Sequence, residues 1–201
     1  STTFSPGARA FHGSCYDPNS QRVMVFGGTD GFGIWSDWFG LGSSGASAAN
    51  WGGFTANVVP PARQEFGAVW DTARKRAVFL CGRTNAAFYT NEVWEYGVAT
   101  AYNWVRRETL ADQAAATTPP SARYGSACAF DGARSQTLLF GGSPAFPTLL
   151  NETWLRTDVR WRNPGPFPVP AARDFATAVF DSARNVVGMY GGSGTSGDLN
   201  D

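Results

Sequence analysis

The chain is poor in the residues that catalysis and metal binding draw on most. Its 201 residues contain one histidine, His12, so a histidine-based metal centre would need its other ligands from elsewhere. The three cysteines, Cys15, Cys81 and Cys128, form an odd set without metal-ligand spacing. Cys15 and Cys128 fall near equivalent places in two repeats, where buried free thiols are the plain reading and a disulfide the alternative. Charge is sparse and even. Sixteen acidic residues balance sixteen basic ones, and Lys75 is the only lysine. This argues against a nucleic-acid or membrane-surface footprint. No run reaches the 18 apolar residues of a membrane span, and no signal-peptide pattern stands at the start. No cofactor-binding motif is visible. The bias of arginine over lysine, with abundant alanine and glycine, suggests a GC-rich bacterial genome. Low lysine with many Asn, Thr, Ser, Gly and Trp leans towards an extracellular or cell-surface protein, with the cytoplasm as the alternative.

What is present is repetition, and a repeat governs how everything else is read. PGARAFHGSCYDPNSQRVMVFGG (6–28) is rewritten as PPARQEFGAVWDTARKRAVFLCG (60–82), PSARYGSACAFDGARSQTLLFGG (120–142) and PAARDFATAVFDSARNVVGMYGG (170–192). Arg9, Arg63, Arg123 and Arg173 are each followed eight residues later by Asp17, Asp71, Asp131 and Asp181. Eighteen residues after each Arg a Gly pair begins, with Cys81 replacing its first member in the second copy. The offsets between copies are 54, 60 and 50 residues, so the cores are fixed while the connections vary.

Each core reads as a β-hairpin: a short apolar run, an Asp-led turn, a second apolar run and glycines that release the chain from the sheet. Pro before the first run has no amide to donate and suits a strand's start. NEVWEYG (91–97), NETWLRT (151–157) and SDWFGL (36–41) predict a third strand. AANW, AYNW and DVRW place Trp51, Trp104 and Trp161 on a fourth. Four strands in about 50 residues is the length of one propeller blade.

Together the Arg before strand one, the Gly pair after strand two, Asn-Glu-x-Trp on strand three and the Trp opening strand four resemble the kelch repeat family. The match covers nearly the whole chain, from residue 6 onward. The resemblance implies an all-β fold, a β-propeller of kelch-type four-stranded blades, with inner strands around a channel and loops at both ends. The whole chain, 1–201, reads as one such domain or a piece of one, with blades over 6–56, 60–110, 120–165 and a truncated 170–201. SGDLND (196–201) stops where a third-strand Trp would follow. The expectation is a piece of a longer polypeptide or a chain completed by association, with STTF (1–4) as a candidate outer strand.

The resemblance also nominates ligand positions. In kelch propellers that bind acidic peptides, Arg at this repeat position can contribute to the pocket, which points to Arg9, Arg63, Arg123 and Arg173. A planar guanidinium suits a carboxylate. The competing reading is structural, since a residue kept in every copy fits a frame better than a site. Variation is the better mark of recognition, and it falls immediately after each Arg: Ala10, Gln64, Tyr124 and Asp174, then Phe11, Glu65, Gly125 and Phe175. His12 reads as a packed or channel-lining residue. Long loops at 42–54 and 108–120 offer a second contact surface. The Asp and Asn of GTDGFG (28–33) and SGDLND lack the dense spacing of a calcium loop. The Asn151-Glu152-Thr153 sequon reads as part of the strand-three motif.

The expected function is a non-enzymatic binding or assembly module, taking a protein or acidic ligand through one propeller face. The alternatives are an extracellular propeller that binds or processes glycans, with Trp35 the first stacking candidate, and a structural protein joining head to tail as a homo-oligomer that completes the truncated blade.

Overall fold

A computed structural model describes residues 5–42, 50–53, 58–85, 88–97, 103–107, 110–111, 119–165 and 169–201. Among them there is no helix; the chain is all-β and built from antiparallel sheets. The first sheet holds β1 (Gly13–Asp17), β2 (Arg22–Phe26), β3 (Trp38–Gly42) and β4 (Asn50–Gly53), in chain order. The second holds β5 (Gly67–Asp71), β6 (Arg76–Leu80), β7 (Val93–Tyr96) and β8 (Trp104–Arg107), again in chain order. In the third, β9 (Leu110–Ala111) adds in parallel beyond β10 (Ala127–Asp131), β11 (Gln136–Phe140), β12 (Thr153–Thr157) and β13 (Arg160–Arg162). The fourth repeat pairs β14 (Thr177–Asp181) with β15 (Val186–Tyr190), followed by the short hairpin β16 (Ser193–Gly194) and β17 (Gly197–Asp198).

The turns close as their chemistry dictates. Asp17, Asp71, Asp131 and Asp181 accept from the amides of Asn19, Arg74, Arg134 and Arg184 at 2.8, 2.9, 3.0 and 3.0 Å. The residue before each second strand is left-handed: Gln21, Lys75, Ser135 and Asn185, with φ between 53 and 56°. Trp38, and not Trp35, lies on the third strand of the first sheet.

The sheets stand side by side through their first strands, in the order β1, β5, β10, β14, and β1 does not pack on β14. Between the first and second sheets lies an aromatic core that includes Phe26, Trp38, Phe66, Phe79, Trp94, Tyr96 and Trp104. Between the second and third lie Val69, Val78, Leu80, Phe130, Leu139, Trp154 and Trp161. Each such side chain contributes about 1.5–3 kcal/mol on full burial. The second joint also buries a charge. Glu95, wholly enclosed on β7, takes Arg76 at 2.7 Å, Arg107 at 2.6 Å and, from the third sheet, Arg156 at 2.7 Å. Three guanidiniums around one carboxylate meet the requirement that an enclosed charge be paired.

Some sequence expectations shift. Asn151 and Glu152 precede the strand, which begins at Thr153, so only the last residue of the sequon is on it. The STTF segment and most of the two long loops, 43–49 with 54 and 112–118 with 108–109, lie outside the described residues. All three cysteines are free thiols, Cys81 buried and the other two half-buried. No helix among the described residues is long and apolar enough to cross a membrane.

Candidate functional site

The four recurring arginines share one geometry, and it is internal. Each Nε donates to the carbonyl two residues earlier: Gly7, Pro61, Ser121 and Ala171, at 3.0–3.1 Å. Each Nη1 donates to the carbonyl eighteen residues on: Gly27, Cys81, Gly141 and Gly191, at 3.0–3.2 Å. Each guanidinium also holds a carboxylate, just before the third strand in three repeats (Asp37, Glu92 and Glu152) and Asp201 in the fourth, at 2.6–2.9 Å. Arg63, Arg123 and Arg173 are at most 1% exposed. Burial alone would raise Glu92 and Glu152. Donation from the Trp94 and Trp154 indoles and from Arg63 and Arg123 outweighs it and holds both carboxyls below the usual glutamate range. The arginines nominated as ligand contacts therefore clamp each hairpin to the segment leading into its third strand in the first three repeats, and to Asp201 in the fourth.

The positions just after them meet at one end of the sheets. Ala10, Gln64, Tyr124 and Asp174 bridge to Thr29, Arg83, Ser143 and Ser193 in their own repeats. The next residues, Phe11, Glu65, Gly125 and Phe175, all have φ between 53 and 66°. Main-chain bonds run from one to the next: Glu65 N–H to Phe11 O at 3.0 Å, Gly125 to Glu65 at 2.9 Å and Phe175 to Gly125 at 2.7 Å. A left-handed backbone held in four copies, and by non-glycine residues in three of them, marks a constrained place.

On this rim the side chains interlock. The Arg83 guanidinium lies over the Tyr124 ring at 4.4 Å and near Tyr89 at 5.7 Å, with Nε 3.0 Å from Glu65. Tyr89 meets Tyr124, Tyr124 meets Phe175, and Phe175 meets Phe11, at centroid distances of 5.1, 6.2 and 5.9 Å. Burial pushes the Glu65 carboxyl up, as does nearby Asp174, while Arg83 opposes; burial also raises Asp174. Gln64 Oε1 and Ser143 Oγ are enclosed without a hydrogen-bond partner among the described residues. Phe11 and Phe175 remain about half exposed. The loops between second and third strands rise on the same side and expose Phe32, Trp35, Phe88 and Phe146.

Beneath the rim runs a cavity of about 400 Å³ between the four first strands, lined by small residues such as Ser14, Ala68 and Cys128 and by the larger Tyr16, Trp70 and Phe180. His12, exposed, lines its neighbouring opening with Gly13, Ser126 and Thr177. Cys15 and Cys128 line this space, and they and the buried Cys81 are held protonated. Burial pushes Cys15 up to about 12 and Cys81 up to about 11, and raises Cys128 further. Among the described residues no three His, Cys, Asp or Glu side chains gather to hold a metal. Asp30 caps the Phe32 and Gly33 amides at 2.9 Å, so GTDGFG is organised as a loop by its own backbone.

Sequence reasoning thus nominated Gln64, Glu65, Tyr124 and Asp174, which the fold gathers, and missed Arg83 and Tyr89. The signal for Arg83 was available: the residue after each Gly pair reads Thr29, Arg83, Ser143 and Ser193, a position that varies in a fixed frame. No protein-family model matches the chain, and no curated protein matches it significantly.

Proposed function

We propose that the chain forms kelch-type β-propeller blades and works as a non-enzymatic binding module, recognising a protein segment through its rim. The observation that carries the reading is a division of labour. Side chains that recur in every repeat are buried in the frame, whereas those that differ converge on the rim. Four repeats in register, their sheets side by side around a central cavity, support the propeller. Exposed aromatics around enclosed polar atoms are the chemistry of protein recognition, with rings as anchors and few precisely aimed polar groups.

At the rim the acidic-ligand form of the reading rests on Arg83, since the four recurring arginines spend their donors internally, and Arg83 already faces Glu65. A protein segment is the better fit. The exposed Phe32, Trp35, Phe88 and Phe146 favour one second reading, sugar stacking on the same face.

Fluorescence titration with an Asp/Glu-rich peptide, an Arg/Lys-rich peptide and a β-linked glucose oligomer tests this. Peptide binding weakened about tenfold or more by Phe11→Ala or Phe175→Ala supports the proposal. Oligomer binding alone moves the function to the glycan reading. Peptide binding indifferent to both substitutions rejects the rim.

A further inference from the structure

The rim already holds one guanidinium, and the way it does so shows what a second would need. Arg83 lies over the Tyr124 ring at 4.4 Å, and its Nε stands 3.0 Å from a Glu65 oxygen. A ring face and an enclosed carboxylate, drawn from adjacent repeats, take the cation together.

One repeat further the same two chemistries recur without a cation. Asp174 is 8% exposed, and Phe175 beside it is 46% exposed. Burial raises the Asp174 carboxyl, and only its own amide opposes. All sixteen arginine and lysine residues lie among the described residues, and none of them pairs with Asp174. Glu65 feels Asp174 as a second negative charge, with Arg83 as the one cation set against both. The centre of the rim is therefore one positive charge short.

The place for that charge is open. The second residue after the recurring arginine carries a large side chain in three repeats, Phe11, Glu65 and Phe175, and none in the other, at Gly125. A Cβ built on Gly125 would lie 3.0 Å from Asp174 Cβ and 3.4 Å from the Phe175 ring. The missing side chain leaves a slot with the carboxylate on one side and the ring edge on the other. Nearby acceptors want donors as well. Gln64, which holds in the second repeat the position of Asp174 in the fourth, is 9% exposed and its Oε1 has no partner among the described residues. A guanidinium carries five donors and no acceptor, whereas a carboxylate ligand would add acceptors to a site already short of donors.

We infer that the slot beside Gly125 takes an arginine side chain of the bound protein segment, with Asp174 as its counter-charge and Phe175 as its stacking face. This rests on the rim being the surface that binds the segment, and it names the side chain the rim selects. The planar fork suits both partners at once, as Arg83 does against Glu65 and Tyr124.

Calorimetric titration with three peptides of one neutral, Phe-containing sequence, differing only in a central Arg, Gln or Glu, tests it. The Arg peptide should bind about tenfold or more tightly than the Gln peptide, and the Glu peptide most weakly. Asp174→Asn, which keeps the shape and removes the charge, should abolish the Arg preference and leave the Gln peptide's affinity unchanged. A melting temperature at neutral pH no lower than wild type shows that this variant is folded, so the loss belongs to the ligand. Equal binding of all three peptides, or a preference for Glu, that is weakened by Phe175→Ala would overturn the inference and keep the rim as a protein-binding surface. An Arg preference that survives Asp174→Asn would overturn it too, by placing the cation elsewhere. Binding of none of the three would overturn both the inference and the reading beneath it.

Discussion

Replacing Arg123 with alanine separates a frame from a ligand site. In the folded chain Arg123 is fully buried and donates to the Ser121 and Gly141 carbonyls, to Ser121 Oγ and to Glu152, at 3.0, 3.2, 2.9 and 2.9 Å. The Glu152 side chain is 40% exposed, so water can replace much of that pairing, and it adds little. The larger loss is in the two carbonyls, each giving up a bond to a charged group worth about 1.5–3 kcal/mol; the lower end applies, because Ser121 is exposed to water and Gly141 O keeps Ser126 Oγ at 3.2 Å. With the void left by the side chain, the total is about 3–5 kcal/mol, a large share of the 5–15 kcal/mol that typically holds a domain together. For a chain of this size that lowers Tm by roughly 6–20 °C. Arg123→Lys should fare little better, because an ammonium cannot reproduce the planar fork. Arg106→Ala, at an exposed pair, should stay within about 0.5 kcal/mol. Urea unfolding followed by tryptophan fluorescence reads all three variants. An Arg123→Ala chain as stable as wild type that had lost affinity for an acidic peptide would refute the structural reading and restore the arginines as ligand contacts.

Two further substitutions probe the rim and the joints. Asp174 has its carboxyl raised by burial, so its ionised form weakens the fold; that cost is absent below the ordinary aspartate range and complete above the raised value. Asp174→Asn should therefore be more stable than wild type at neutral pH, with the difference vanishing on acidification, as thermal melts across pH would show; a gap independent of pH would contradict this. Gly142→Ala should cost about 2–3 kcal/mol, since its φ is +86° and a Cβ would meet Ser126 Oγ at 2.3 Å and Tyr124 O at 2.7 Å. Gly188→Ala, with open space around it, serves as the neutral comparison in the same denaturation series, and equal costs at both sites would discard the argument.

Local chemistry was legible along the chain. Four Asp-led turns, the glycine pairs and the short apolar runs told where strands start, turn and stop, because those signals depend on neighbours a few residues away. NEVWEYG and NETWLRT announced third strands for the same reason, and β7 and β12 lie within them. Recurrence in every copy favoured a structural role for the repeated arginines, but their partners were not readable. A guanidinium reaching a carbonyl eighteen residues on and a carboxylate beyond that is a contact between strands, invisible to spacing. The Glu95 cluster was missed on similar grounds, since Arg156 comes to it from another sheet. The rim lay between these cases. Variation after each Arg drew attention to Gln64, Glu65, Tyr124 and Asp174, but Arg83 and Tyr89 joined them only when the loops folded back. By itself, then, the sequence determined the repeat, the hairpins and the all-β class, through turn and strand preferences that act locally. Only the tertiary structure decided which arginines are enclosed, which variable residues meet and which carboxylate is left without a cation, because burial and pairing are properties of sheets set against one another.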